Sequence, residues 1–250
     1  ARERVRIEWD KLLLGAGAVP VLRAFPEIVG QIFPEVTPCF GFAQNSRYHC
    51  FDVWEHTLAA LEYAKADHIV RLALFFHDIG KPAVYREDAC GGHFPGHAKV
   101  SVELAQAAME RLRYDRDTTA RVLALVREHD IPLPTQEKGV RRLMMRFDDA
   151  DIARLLEIQR CDRLAHHPDF RDLPQEWYAL PATVEKLRAE HACLSLRDLA
   201  VNGRDLMALG IPAGREVGRI LQELLDAVVD GNLENEKKTL LAEAEIRKKE

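Results

Sequence analysis

Residues 69–82 read Ile-Val-Arg-Leu-Ala-Leu-Phe-Phe-His-Asp-Ile-Gly-Lys-Pro (IVRLALFFHDIGKP), and the fold class turns on them. The run from Ile69 to His77 is almost continuously apolar, so periodicity alone does not separate a buried strand from a buried helix. Leu and Ala dominate it and no partner strand stands nearby, so we read a buried helix. Gly80 and Pro82 stop it. Upstream, Asp52 to Ala66 reads as a helix with Val53, Leu58, Leu61 and Ala64 on related faces and Asp52 as its N-cap. The polar and aromatic segment Phe40–His49 (FGFAQNSRYH) leads into it as a loop. Before that loop, Pro20–Pro38 reads as short helices broken by prolines, and Arg4–Leu14 as a helix closed by Gly15-Ala-Gly17.

Downstream, Cys90–Gly96 is a loop rich in glycine and aromatics. Helices are expected over His97–Leu112, Asp117–Glu128, Lys138–Phe147, Asp149–Ala165 and Gln175–His191, the second stopped by Pro132 and Pro134. Val217, Ile220, Leu221, Leu224, Leu225 and Val228 advance by alternate steps of three and one, an amphipathic helical face. The turn Gly210-Ile-Pro212-Ala-Gly214 precedes it. Residues 234–250 are charge-rich and read as a solvated terminal helix. The fold class is all-α.

The chain has 250 residues, 47% hydrophobic and 30% charged, which is the composition of a globular protein with a sizeable core. No run approaches the ~18 apolar residues of a membrane span. The first residues lack an apolar signal region, and a cytoplasmic location is expected. Five cysteines without a C-x-x-C pair argue against a disulfide framework and a thiolate zinc ribbon. A net charge of −5 gives no global attraction to nucleic acid and leaves only local basic faces for that task.

The unusual feature is the ten histidines. Four of them and two aspartates stand at expected helix ends: His56 in DVWEHTL, His77 and Asp78 in FFHDIGK, His97 in FPGHAKVS, His129 in REHDIPL and Asp162 in QRCDRLAHH. Imidazole with carboxylate is the ligand set of first-row transition ions. An unpaired buried carboxylate at Asp78 would be costly, and a metal would satisfy it. The competing reading is a set of hydrogen-bonded structural residues. For His49, His68, His93, His166, His167 and His191 the surface reading is preferred.

The order His56, His77-Asp78, Asp162 resembles the H…HD…D signature of the HD metal-dependent phosphohydrolases, and HDIGK is a specific form of it. Beyond that motif, ERVRIEWDKLLLG, FGFAQNSRYHCFDVWEHTL and DLAVNGRDLMALGIPAGREVGRILQELLDAVVDGNLEN are similar to the region after the polymerase head of HD-containing bacterial CCA-adding tRNA nucleotidyltransferases. That head carries a G-G-x-V-R-D stretch followed by a D-x-D metal pair. The glycine-rich string is absent from these 250 residues, so nucleotide addition is not expected from this chain alone.

The resemblance implies an HD helical bundle over 47–170, a helical neck over 1–46 and a helical body and tail over 171–250. It implies that His56, His77, Asp78 and Asp162 hold one divalent ion (Mn, Fe, Co, Ni or Zn, with Mg as a further candidate). Asp78 would then bridge to a second ion held by His97 and His129. The implied activity is hydrolysis of nucleotide or RNA-terminal phosphates, such as 2′,3′-cyclic phosphates, by a metal-activated hydroxide. The alternative is the tRNA-binding body of a truncated or split nucleotidyltransferase. Lys81 has two readings, a catalytic phosphate partner or a lysine favoured by a helix C-terminus. Asp130 is a candidate orienter of His129. Arg47 and Tyr48 are weaker candidate substrate contacts, and Arg204, Arg215 and Arg219 candidate RNA contacts. The glycines of NGRDLMALGIPAGREVG either let helices approach an RNA backbone or permit close helix packing.

Overall fold

The computed structural model describes residues 2–248. Its helices in chain order are α1 (Arg2–Leu14), α2 (Ala18–Ala24), α3 (Pro26–Ile32), α4 (Val53–Tyr63), α5 (His68–Phe76) and α6 (Lys81–Val84). They continue with α7 (His97–Arg111), α8 (Arg116–Glu128), α9 (Glu137–Arg146), α10 (Asp149–Ala165), α11 (Gln175–Ala189), α12 (Gly203–Ala208), α13 (Arg215–Val229) and α14 (Lys237–Arg247). Short 3₁₀ helices lie at Pro34–Cys39 and Pro168–Phe170. The fold is all-α. The sequence reading had no strands, but β1 (Arg86–Asp88), ahead of the expected loop, and β2 (Gly91–His93), within it, pair antiparallel, Arg86 opposite His93.

Two compact units are present: described residues up to Pro132 with Ala150–Pro174, and Leu133–Asp149 with the chain from Gln175 onward. These boundaries differ from the three-part division implied by the resemblance, because α1–α3 pack into the first unit and α9 into the second.

In the first unit α5 is the central rod. Val70, Leu72, Ala73, Leu74, Phe75 and Phe76 are all buried, so the apolar run covers every face of the helix rather than one stripe. Trp9 of α1, Phe33 and Phe75 meet in an aromatic cluster with ring centroids 4.6–5.0 Å apart. Asp52 caps α4 as expected, accepting from the Glu55 amide at 2.8 Å, and Asp67 caps α5 by accepting from the Val70 amide at 3.0 Å.

In the second unit, Val217, Ile220, Leu224, Leu225 and Val229 of α13 form the core with Leu206 of α12 and Leu240 and Ala244 of α14. Asn202 and Asp205 close a capping box on α12. Gly210 and Gly214 take φ of 78° and 112°, so the turn uses them for backbone conformation, not for close helix packing. The terminal segment is not wholly solvated. Leu240 and Ala244, one turn apart, are fully buried, a stripe that the surrounding charge conceals in the sequence. Residues 1, 249 and 250 lie outside the described residues. Among the described residues, no helix is long and apolar enough to cross a membrane.

Candidate metal centre

His77 is the C-cap of α5, and the chain turns immediately: the Lys81 amide donates to the Asp78 carbonyl at 3.0 Å. Gly80 lies flat against the start of α7. Its amide donates to Ser101 Oγ at 2.9 Å, and a Cβ on it would lie 2.5 Å from the His97 carbonyl oxygen and 2.6 Å from the Ser101 nitrogen. The glycine of HDIGK therefore sets the approach of α7, which carries His97. Gly80→Ala should cost roughly 1–3 kcal/mol, the usual range for overpacking, because the obstructing atoms are backbone. Thermal unfolding measures this, and a Tm equal to that of the parent would refute the assignment.

The six residues singled out in the sequence converge. Ligand atoms of His56, His77, Asp78 and Asp162 lie within 4.8 Å of one another, and so do those of Asp78, His97 and His129. Asp78 faces both groups with different oxygens. Its Oδ2 is 3.4 Å from His56 Nε2 and 3.2 Å from His77 Nε2, whereas its Oδ1 is 3.3 Å from His97 Nε2 and 3.7 Å from His129 Nε2. Asp162 Oδ1 closes the first group at 2.8 Å from His56 Nε2 and 3.5 Å from His77 Nε2.

The imidazoles are oriented by backbone. Nδ1 of His77, His97 and His129 donates to the carbonyl three residues earlier (Leu74, Phe94 and Val126) at 2.6, 3.1 and 2.7 Å. His56 Nδ1 faces the Ala165 carbonyl at 3.4 Å. With Nδ1–H committed, each Nε2 points into the centre, where its lone pair serves an ion or, without one, a proton. Asp130 does not orient His129. It is half-exposed, its Oδ2 lies 3.8 Å from His97 Nε2, and the Val126 carbonyl performs the task instead.

Three observations fit this donor set to cations. His97 Nε2 and His129 Nε2 face one another at 3.2 Å, two lone pairs that repel unless a proton or an ion lies between them. His77 Nε2 and Asp78 Oδ1 are buried without a hydrogen-bond partner, while Asp78 Oδ2 has the Lys81 ammonium beside it at 2.6 Å. The field is strongly negative. Burial pulls the His77 pKa down, yet Asp78 and Asp162 outweigh it and lift the value to about 10. Burial likewise acts against the charge of both carboxylates, while His77 and Lys81 hold Asp78, and His56 and His77 hold Asp162, well below the usual carboxylate range. Similarly, burial of His97 is overcome by Asp78, which raises its pKa.

Lys81 begins α6 and does not end a helix. It is buried at 5% exposure, with its ammonium 2.6 Å from Asp78 Oδ2 and donating to Gln44 Oε1 at 2.8 Å. His49 and His166, read from the sequence as surface residues, are partly buried beside the centre. Their rings are 4.6 Å apart and lie 5.1 and 5.5 Å from the His56 ring. One signal was available for His166: it follows Asp162 by one helical turn. Arg47 stacks over Tyr48 at 4.7 Å, and Tyr48 meets Phe170 edge-on, so this pair stands on the loop that carries His49. In the second unit, Arg219 is bound to Glu216 and Glu223 at 2.6 and 2.8 Å, whereas no side-chain ion pair engages Arg204 or Arg215 among the described residues.

Residues 96–244 match the family described as tRNA nucleotidyltransferase domain 2. The chain belongs to that family. It is 36% identical over 243 residues to the CC-adding tRNA nucleotidyltransferase of Thermus thermophilus, covering 93% of this chain and 54% of the relative. It is 31% identical over 239 residues to the A-adding tRNA nucleotidyltransferase of Deinococcus radiodurans, covering 91% and 54%. The Multifunctional CCA protein of Azoarcus is 28% identical over 75% of this chain. The chain thus spans about half the length of these curated relatives. Two D-x-D strings occur in it, and helix starts account for both. Asp115 caps α8 and Asp117 pairs with Arg121, while Asp149 pairs with Arg188, and Asp151 with Arg121 and Arg154.

Proposed function

We propose that this chain is the tRNA-holding region of a tRNA nucleotidyltransferase. The observation that carries this reading is the family match over residues 96–244, supported by relatives named for adding CC or A to tRNA that align along nearly the whole chain. Nucleotide addition by this chain alone is not part of the proposal. At a net charge of −5, affinity for tRNA must come from local cations, and Arg204 and Arg215 have free guanidinium groups for phosphate contacts. Arg219, neutralised by two glutamates, is a weaker candidate.

Titration of fluorescent tRNA at increasing salt tests this. The chain should bind, with log K falling linearly against log[salt]. Arg204→Ala/Arg215→Ala should reduce the slope by roughly 2, about one for each lost phosphate contact, while Arg219→Ala leaves it nearly unchanged. Absence of binding at low salt would remove the proposal.

A second reading is favoured by the two ligand groups sharing Asp78: this region is also a metal-dependent phosphohydrolase acting on phosphate esters such as 2′,3′-cyclic phosphates. His56, His77, Asp78 and Asp162 would hold one ion, and Asp78, His97 and His129 the second. A pair of divalent transition ions supplies Lewis acidity and lowers the pKa of water. The protein's own contribution is orientation. The carbonyls of Leu74, Phe94 and Val126 fix three imidazoles, and burial keeps bulk water from competing with them.

A further inference from the structure

Lys81, the cation nearest the centre, has no donor left for a substrate. An ammonium offers three N–H groups. Here three acceptors surround it: Asp78 Oδ2 at 2.6 Å, Gln44 Oε1 at 2.8 Å and His49 Nε2 at 3.3 Å. Gln44 is itself buried at 2% exposure and is held by donating to the Phe51 carbonyl at 3.2 Å. The arrangement is rigid and internally satisfied, so a phosphate could reach Lys81 only by displacing one of these partners.

The same contact fixes the state of His49. Because Nε2 accepts from an ammonium, the proton of the neutral ring must sit on Nδ1. His49 Nδ1 is buried and has no hydrogen-bond partner, and Nδ1 of His166, whose ring is 4.6 Å away, is also buried and without one. An oriented N–H donor buried without a partner beside a group of metal-ligating type points to an acceptor that the chain itself does not supply. His49, His56 and His166 also meet the distance condition for a third metal group. That alternative fails on chemistry: the only lone pair of His49 already faces an ammonium, and His56 Nε2 already faces Asp162 and Asp78.

We propose that His49, and not Lys81, is the group on this wall that binds substrate, donating from Nδ1 to a phosphoryl oxygen of the ester. Lys81 is a positioning residue that neutralises Asp78 and sets the tautomer of His49. This inference rests on the phosphohydrolase reading and adds to it the residue that receives the phosphate.

The test compares two substitutions in the manganese-loaded chain. His49→Asn keeps an N–H near the position of Nδ1, and His49→Phe keeps the ring without a donor. With 2′,3′-cyclic AMP as substrate, His49→Phe should lose roughly 10- to 100-fold in kcat/KM, the worth of one hydrogen bond to a charged group. His49→Asn should recover most of that loss, and both should retain the parent's manganese content. Inorganic phosphate should bind His49→Phe more weakly by a similar factor. In the metal-free parent, imidazole ¹⁵N NMR should show His49 protonated at Nδ1. Protonation at Nε2, or hydrolysis and phosphate binding by His49→Phe within about twofold of the parent, would overturn the inference while leaving the phosphohydrolase reading intact. If the parent takes up manganese yet neither hydrolyses the ester nor binds phosphate, that reading falls and the inference falls with it.

Discussion

On the proposed phosphohydrolase reading, Asp78→Asn is expected to remove at least one of two ions and to lower phosphoester hydrolysis by on the order of a thousandfold. The reason is geometric. Asp78 is the one residue common to both ligand groups, with Oδ2 turned to His56 and His77 and Oδ1 to His97 and His129. An amide keeps the shape but carries no charge and has one oxygen, so it can serve one side at most. Losing an ion that supplies several kcal/mol of transition-state stabilisation corresponds to three or more decades in rate. Asn is preferred to Ala because its amide oxygen can still accept from the buried Lys81 ammonium, 2.6 Å from Asp78 Oδ2, whereas Ala would leave that ammonium neither charge nor acceptor there. Removing one member of a buried pair commonly costs about 3–5 kcal/mol. Metal content should therefore be measured on folded protein, with far-UV circular dichroism as the control. Two ions per folded Asp78→Asn chain would refute the bridging role.

The helical class was legible because the features that decide it are local. Asp52 is a cap that the sequence spells out, and the start of α7 at His97 and the whole of α10 fall where spacing places them. The hairpin around Gly91 and Gly92 was not legible. It exists because those glycines press against the 44–46 backbone, where a Cβ on Gly92 would lie 2.1 Å from the Gln44 carbonyl oxygen, and no local period records such a long-range contact. The burial of α14 was hidden for a related reason: Leu240 and Ala244 make a stripe too narrow to register among charged neighbours.

The candidate centre divides in the same way. His77-Asp78 is a pair written in the sequence, and the other four residues stood out by residue type at expected helix ends; only their division into two ligand groups came from the family resemblance. Their convergence depends on α4, α5, α7, α8 and α10 packing in one unit, which a linear reading does not reach. His49 and His166 were missed because their importance comes only from neighbours distant in sequence. The surroundings of Lys81 were not legible because its three acceptors come from residues 44, 49 and 78.

Metal should also change how stability responds to pH. Without metal, the native chain holds a proton on His77, whose pKa is lifted to about 10 because Asp78 and Asp162 outweigh its burial. An unfolded histidine titrates near 6.5. A group whose native pKa is raised stabilises the fold fully below the unfolded value, and that stabilisation is lost as pH rises towards the native value. Above pH 7.5 all unfolded histidines are essentially neutral. His49 and His166, held down by burial to about 2 and about 4, are neutral in both states and contribute nothing to the slope. Asp78 and Asp162 titrate far below this range and stay charged. Between pH 7.5 and 9 the metal-free protein should therefore lose stability, by up to about 2 kcal/mol for one retained proton. For a chain of this size that is roughly 3–6 °C in Tm. Saturating zinc or manganese should both raise Tm and flatten the slope, since an ion at Nε2 replaces the proton there. Differential scanning calorimetry with and without metal measures both effects. A metal-free Tm that holds or rises over this interval would show that the buried carboxylates are not neutralised by a proton on His77, and the electrostatic case for a cation at this centre would have to be abandoned.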